Sequence, residues 1–151
     1  MFSIEFLDEP LEYPFDDPSI PAAPGRLMLG KCEEEFLANL ALWNKSDYES
    51  HWIRELKAFV GGNYKVALIV SYYDPKTSLN MEIWRVYRDR EWAYFSNQLL
   101  FCSTLPDHFE VSEISRYIDD RVVIDEDGNR ISEWNVAIRD IELFLKRSET
   151  L

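Results

Sequence analysis

A chain of 151 residues has the length of one domain, and 46% apolar residues with five Trp, eight Tyr and nine Phe supply a core that a disordered acidic tail lacks. A formal net charge of −12 excludes nucleic acid and anionic membrane as direct ligands.

Phe2–Leu7 alternates apolar and polar and reads as a strand. Residues 8–25 carry five prolines and read as an extended loop, and Arg26–Gly30 as a second short strand. Two templates fit Glu33–Trp43: Phe36, Leu40 and Trp43 match helical spacing, while Phe36, Ala38, Leu40 and Leu42 match strand alternation. Ser46 and Glu49 form an S-x-x-E capping box. Tyr48, Trp52, Leu56, Phe59 and Val60 then share one face, and Gly61 stands where a left-handed cap closes a helix over about 46–60. His51 is expected on the exposed flank of that helix, and the tryptophans (Trp43, Trp52, Trp84, Trp92, Trp134) mostly in the core. Tyr64–Tyr73 is a β-rich run ended by the Asp74-Pro75 turn. Met81–Arg88 alternates, Asp89 and Arg90 sit at a tight reversal, and Glu91–Phe95 follows as a strand, with Leu99–Cys102 continuing it past a bend. Arg121–Ile124 and Arg130–Ile138 flank Asp-Gly, a hairpin signal. Asp140 is placed to cap a short final helix carrying Ile141, Phe144 and Leu145. The expectation is a single α+β domain over 1–151: a twisted, mostly antiparallel sheet with one well-defined helix on one face and a short C-terminal helix.

The negative charge is local. Residues 1–25 hold six acids (among them Asp16 and Asp17) and no base, and 107–127 hold eight acids against Arg116 and Arg121, leaving 14 acids and 14 bases elsewhere. Acidic loops often serve solubility alone, and the competing reading is a field aimed at a cationic partner. Catalytic patterns are missing: no H-E-x-x-H, no Cys-x-x-Cys, no Gly-x-Ser-x-Gly and no phosphate-binding glycine loop. Asp119-Asp120 and Asp125-Glu126-Asp127 offer oxygen ligands but lack the EF-hand spacing, so no metal or cofactor is expected. Tyr72, Tyr73 and Tyr117 lie near turns, where aromatic side chains can anchor an interface. The N-terminus has no cationic region followed by a signal-length apolar stretch, and Cys32 and Cys102 read as buried free thiols, which together suggest a cytoplasmic protein.

The order of features resembles a known family. It runs from W-x-x-x-D-Y-x-x-x-W (Trp43, Asp47, Tyr48, Trp52) through Ser71-Tyr72 and W-x-x-Y-R (Trp84, Tyr87, Arg88) to G-x-x-I-S-E-W (Gly128 to Trp134). This is similar to the immunity proteins of bacterial contact-dependent growth inhibition systems, the CdiI type. The resemblance favours a strand over Glu33–Trp43. It implies a cytoplasmic, non-enzymatic monomer that forms a 1:1 heterodimer with a basic toxin domain, a nuclease by expectation, and so neutralises it. The expected contacts are Asp119, Asp120, Asp125, Glu126 and Asp127, then Asp16 and Asp17 on a looser loop, with Tyr72, Tyr73 and Tyr117 as anchors. An adaptor for another basic partner, or a small metal-dependent hydrolase using the acidic turn, are the alternatives.

Overall fold

A computed structural model of the chain describes residues 1–8 and 19–149. The Pro-rich stretch and its acids, Asp16 and Asp17, fall largely outside these residues.

The fold is α+β, with its strands divided between two antiparallel sheets. The first holds β1 (Phe2–Phe6), β2 (Ala22–Leu29) and β3 (Cys32–Asn39) in that order. Strand β2 is longer than its sequence signal because it carries Pro24 and Gly25, two residues that weaken a strand on propensity alone. Gly25 is paired with both Phe6 and Phe36, and the Phe36 ring occupies the space where a Cβ would stand, 2.1 Å from that position. The aromatic ring supplies the packing that glycine cannot. Strand β3 settles the ambiguity of residues 33–43 in favour of the strand, with Phe36 and Ala38 facing the core.

The second sheet holds β4 (Lys65–Ser71), β5 (Asn80–Asp89), β6 (Trp92–Phe101) and β7 (Trp134–Ala137). Five consecutive apolar residues of β4, Val66 to Val70, are all buried, as expected for a strand covered on both faces. Between β5 and β6 the chain reverses at Arg90, whose φ is 59°. Strand β6 runs unbroken to Phe101, so the bend expected before Leu99 is absent. Short 3-10 segments, Cys102–Thr104 and Val111–Tyr117, follow.

Helix α1 (Lys45–Val60) begins one residue before the sequence suggests, and its cap is built from different residues. Asn44 Oδ1 accepts from the Asp47 N–H at 2.8 Å, and Asp47 Oδ2 accepts from the Asn44 N–H at 3.0 Å. This N-x-x-D box leaves Ser46 and Glu49 in the first turns rather than at the cap. Trp43, just before the cap, packs edge-on against Tyr48 with ring centroids 5.1 Å apart, a staple that fixes the entry of the chain. At the other end Gly61 keeps helical angles and Gly62 takes the positive φ of 131°, so the reversal falls one residue later than expected. Helix α2 (Ile138–Glu149) starts directly after β7, and Asp140 lies in its first turn, paired with the N-terminal amine of Met1 at 3.2 Å, instead of capping it.

Helix α1 closes the open edge of β4 through its polar groups. Trp52 Nε1 donates to the Ile69 carbonyl at 2.8 Å, and His51 Nε2 accepts from the Ile69 N–H at 2.9 Å. The Tyr48 hydroxyl donates to the Asn39 carbonyl at 2.6 Å and accepts from the Tyr72 N–H at 2.8 Å, joining the end of β3 to the end of β4. Glu55 accepts from Ser115 Oγ, which in turn accepts from the Ala67 N–H. His51 is therefore buried, not on an exposed flank, because only from that position does its ring reach a main-chain donor. Burial, with a smaller contribution from the nearby Arg54 charge, lowers its pKa to about 3 and keeps the imidazole neutral.

Trp52 and Trp84 lie fully in the core, whereas Trp92 is exposed. Cys102 is buried and Cys32 exposed, both as free thiols; the expected burial of Cys32 fails because it opens β3 at the rim of its sheet. No helix among the described residues is long and apolar enough to cross a membrane.

Candidate partner-binding surface

Five acids of the 107–127 block, Asp119, Asp120, Asp125, Glu126 and Asp127, are displayed on an arm whose root is tied to the second sheet at three successive residues. The Asp119 carbonyl accepts from the Tyr87 hydroxyl at 2.6 Å. Asp120 Oδ1 accepts from the Tyr64 hydroxyl at 2.8 Å and from Lys65 Nζ at 3.1 Å. Arg121 makes a two-pronged contact with Glu133, both bonds 2.8 Å, and its guanidinium stacks 3.9 Å from the Tyr94 ring centroid. Tyr87 and Tyr94 belong to β5 and β6, and Lys65 opens β4, so the root crosses the sheet from strand to strand.

These contacts set the charge states at the root. Hydrogen bonds from Tyr64 and Lys65, and then the Lys65 charge, hold the Asp120 carboxyl below the usual carboxylate range. The Glu133 hydrogen bond raises the Arg121 guanidinium above its ordinary value. A two-pronged Arg–carboxylate contact, only partly open to water, is the kind of surface ion pair that fixes geometry.

Beyond the root the chain runs out through residues 122–124 and returns through 130–132. The long hairpin suggested by Asp-Gly is reduced to a single bridge between Ile124 and Arg130. The returning chain pairs instead with β6 from Trp134 onward, which takes it away from the outgoing limb. The turn itself is ordered by Asp125, whose Oδ1 accepts from the Asp127 N–H at 3.0 Å and the Asn129 N–H at 2.9 Å, while Gly128 takes a φ of 83°. Asp125, Glu126 and Asp127 are all exposed, as are Asp119 and Asp120.

The tyrosines occupy other positions. Tyr117 is half-buried at the end of the second 3-10 segment, its ring set edge-on against Phe109 at 5.1 Å. Tyr72, half-buried, packs on Trp43 at 4.7 Å and lines a cleft of about 690 Å³ together with Asp74, Cys102, Asp107 and Phe109. Burial first, then the Asp74 charge, raises both the Tyr72 hydroxyl and the Cys102 thiol. Tyr73 is half-buried beside it. Asp119, Asp120, Asp125, Glu126 and Asp127 thus stand on the arm and Tyr72 in the cleft, with Tyr117 between Phe109 and the arm's root in sequence. Asp16 and Asp17 lie outside the described residues. Reading the sequence missed Tyr64, Tyr87 and Tyr94 as supports of the root. Their signal was a tyrosine just before β4, near the end of β5 and near the start of β6, which pattern alone assigns to packing.

Among the described residues no three His, Cys, Asp or Glu side chains converge as a metal site. The Nε2 of His51 is committed to a backbone donor, so this imidazole has no free lone pair to act as a base.

Comparison with known proteins agrees with this architecture. Over 118 residues the chain is 28% identical to the Immunity protein CdiI of Enterobacter cloacae subsp. cloacae, covering 78% of this chain and 81% of the relative. It superposes on a chain of the solved CdiA-CT/CdiI toxin and immunity complex from Enterobacter cloacae with a TM-score of 0.87 at 26% identity, covering 100% of both chains. The family model of the CdiI N-terminal domain matches residues 38–144, a span that holds α1, the whole second sheet and the arm, and the chain belongs to that family.

Proposed function

We propose that this chain is the immunity partner of a contact-dependent growth inhibition toxin, and that it binds the toxin's C-terminal domain one to one and neutralises it in the cytoplasm. The observation that carries the reading is the full-length likeness to a chain of a toxin–immunity complex, joined to membership of the CdiI family. The fold adds a physical reason. Five of its acids stand together on an arm tied down at the root, so a cationic surface meets charges on a backbone that is already ordered, at a low entropic cost. A toxin that cleaves nucleic acid needs a cationic face to hold phosphates, and this arm is complementary to such a face. The protein acts by occupancy, without catalysis. Its buried histidine is held by the backbone, and its buried thiol is pushed away from the reactive thiolate form.

The test is co-expression with candidate CdiA-CT toxin domains, beginning with any encoded beside this chain's gene. Growth should be restored, the two chains should co-elute in equal amounts, and nucleic acid should stay intact where the toxin alone degrades it. Cells that remain inhibited, with no complex on gel filtration, would overturn the reading; a rescued toxin that never cuts nucleic acid would overturn only its nuclease part.

A further inference from the structure

The arm carries an apolar ridge that the acidity of its neighbours hides. Val122, Val123 and Ile124 are 53%, 42% and 58% exposed, three adjacent branched side chains in water. A turn needed only for solubility would use polar residues there, and an exposed run of this kind marks a surface covered in a complex. The chain bends at Val123, just before the Ile124–Arg130 bridge, and all three side chains stay exposed there. Its backbone is held: the Ile131 N–H donates to the Val123 carbonyl at 2.9 Å, and the Asp125 N–H to the Asn129 carbonyl at 2.8 Å. With the root tied to three strands, the ridge stands in place before any partner arrives.

Charge decides what covers it. The chain's own segment 9–18 brings Glu9, Glu12, Asp16 and Asp17 with no base, and would set like charge against the acids of the arm. The arm of a second copy would bring the same acids. A cationic protein surface meets neither objection. We propose that Val122, Val123 and Ile124 are the apolar anchor of the interface, seated in an apolar depression of the toxin domain whose lysine or arginine rim meets the acids on either side. This rests on the immunity reading and adds the contact that holds the complex once charge has brought it together: a desolvated centre controls dissociation, whereas a charged rim controls encounter.

The experiment measures association and dissociation of the full chain with the toxin domain it neutralises in co-expression, at low salt and at about 0.5 M salt, where the Debye length is only a few ångströms. The wild-type protein is measured first. Its failure to bind the toxin domain would remove the immunity reading and this inference with it. With binding established, the triple variant Val122→Ser, Val123→Ser, Ile124→Ser should raise Kd about 100-fold, almost wholly through faster dissociation and equally at both salts. Its melting temperature should match the wild type, since the three side chains are exposed. A Kd within about threefold of wild type at both salts would overturn the anchor while leaving the immunity reading intact. A lowered melting temperature would overturn it too, by showing that the ridge packs on this chain. So would self-association of the wild type that the triple variant abolishes in sedimentation, which would make a second copy the occupant.

Discussion

The Nε2 of His51 accepts a hydrogen bond from the Ile69 N–H at 2.9 Å, at the point where α1 lies against the edge of β4. The bond requires a neutral ring, and burial lowers the pKa to about 3 from an ordinary value of 6.5. The native state therefore refuses a proton that the unfolded chain accepts. The resulting stability is fully present above about pH 6.5 and is lost as pH falls toward the folded-state value, by about 1.4 kcal/mol per pH unit within that window. Urea unfolding of the wild type and of His51→Gln at pH 7.5, 6.0 and 5.0 checks this. The wild type should lose stability over that range by more than the variant, whose amide can still accept from Ile69 but does not titrate.

Gly25→Ala should destabilise the protein by about 1–3 kcal/mol, the usual cost of overpacking, because the new methyl would meet the Phe36 ring. The ring has little freedom to retreat, lying 6.2 Å from Phe6 and 5.6 Å from Trp52 between centroids. Adding Phe36→Leu should cost less in the Gly25→Ala background than in the wild type. Chemical denaturation of the four proteins closes the cycle, and additive effects would mean that the two positions do not share the space.

Removing one oxygen at Tyr48 should cost about 2–3 kcal/mol, since Tyr48→Phe leaves both the Asn39 carbonyl and the Tyr72 N–H without their buried partner. Burial also raises the hydroxyl's pKa above its ordinary value of 10. A group raised in this way stabilises fully below about pH 10 and loses that contribution above it, so the gap between wild type and Tyr48→Phe should narrow in alkaline solution.

Arg121→Ala should loosen the arm without unfolding the domain. The two bonds to Glu133 and the stacking on Tyr94 are lost, while the core beneath is untouched. Hydrogen exchange at the Asp125 and Ile131 amides should quicken, with exchange in β5 unchanged and a melting temperature lowered by a few degrees at most. Equal acceleration throughout the second sheet would show instead that the root is part of the core's cooperative unit.

At the tip, Glu126→Lys with Asp127→Lys should slow toxin association and flatten its salt dependence, because neither side chain is needed for the turn that Asp125 orders. The same reversal at Asp16 and Asp17 should have a smaller effect. Stopped-flow association at two salt concentrations compares the pairs, and a larger loss at Asp16 and Asp17 would move the electrostatic contact away from the arm.

Periodicity made the main elements legible because their burial follows it: α1 carries Tyr48, Trp52, Leu56 and Phe59 on one face, and β4 is a run of branched and apolar residues. Ends were less legible, since competing caps differ by one hydrogen bond; Asn44 with Asp47 and Ser46 with Glu49 are equivalent patterns on paper. His51 was misplaced for a deeper reason. A polar residue on an amphipathic helix is read as solvated, and only the approach of an unpaired strand edge makes its burial favourable. At the candidate surface the acids were visible as a charge run, but the exposure of Val122–Ile124 was not. Branched aliphatics beside Asp-Gly signal a paired, half-covered strand, and it is the departure of the chain to β6 at Trp134 that leaves them bare.

The hydrogen bonds where α1 meets the ends of β3 and β4 run from helix side chains to main-chain groups. Tyr48, His51 and Trp52 address an amide or carbonyl of Ile69, Tyr72 or Asn39, and every amino acid but proline presents those same groups. The identity of the strand's side chains is therefore set by the core into which Val66 to Val70 are buried, not by these bonds. Bonds that do not depend on the bonded residue's side chain survive sequence change, which suits a fold shared at a TM-score of 0.87 with a chain only 26% identical.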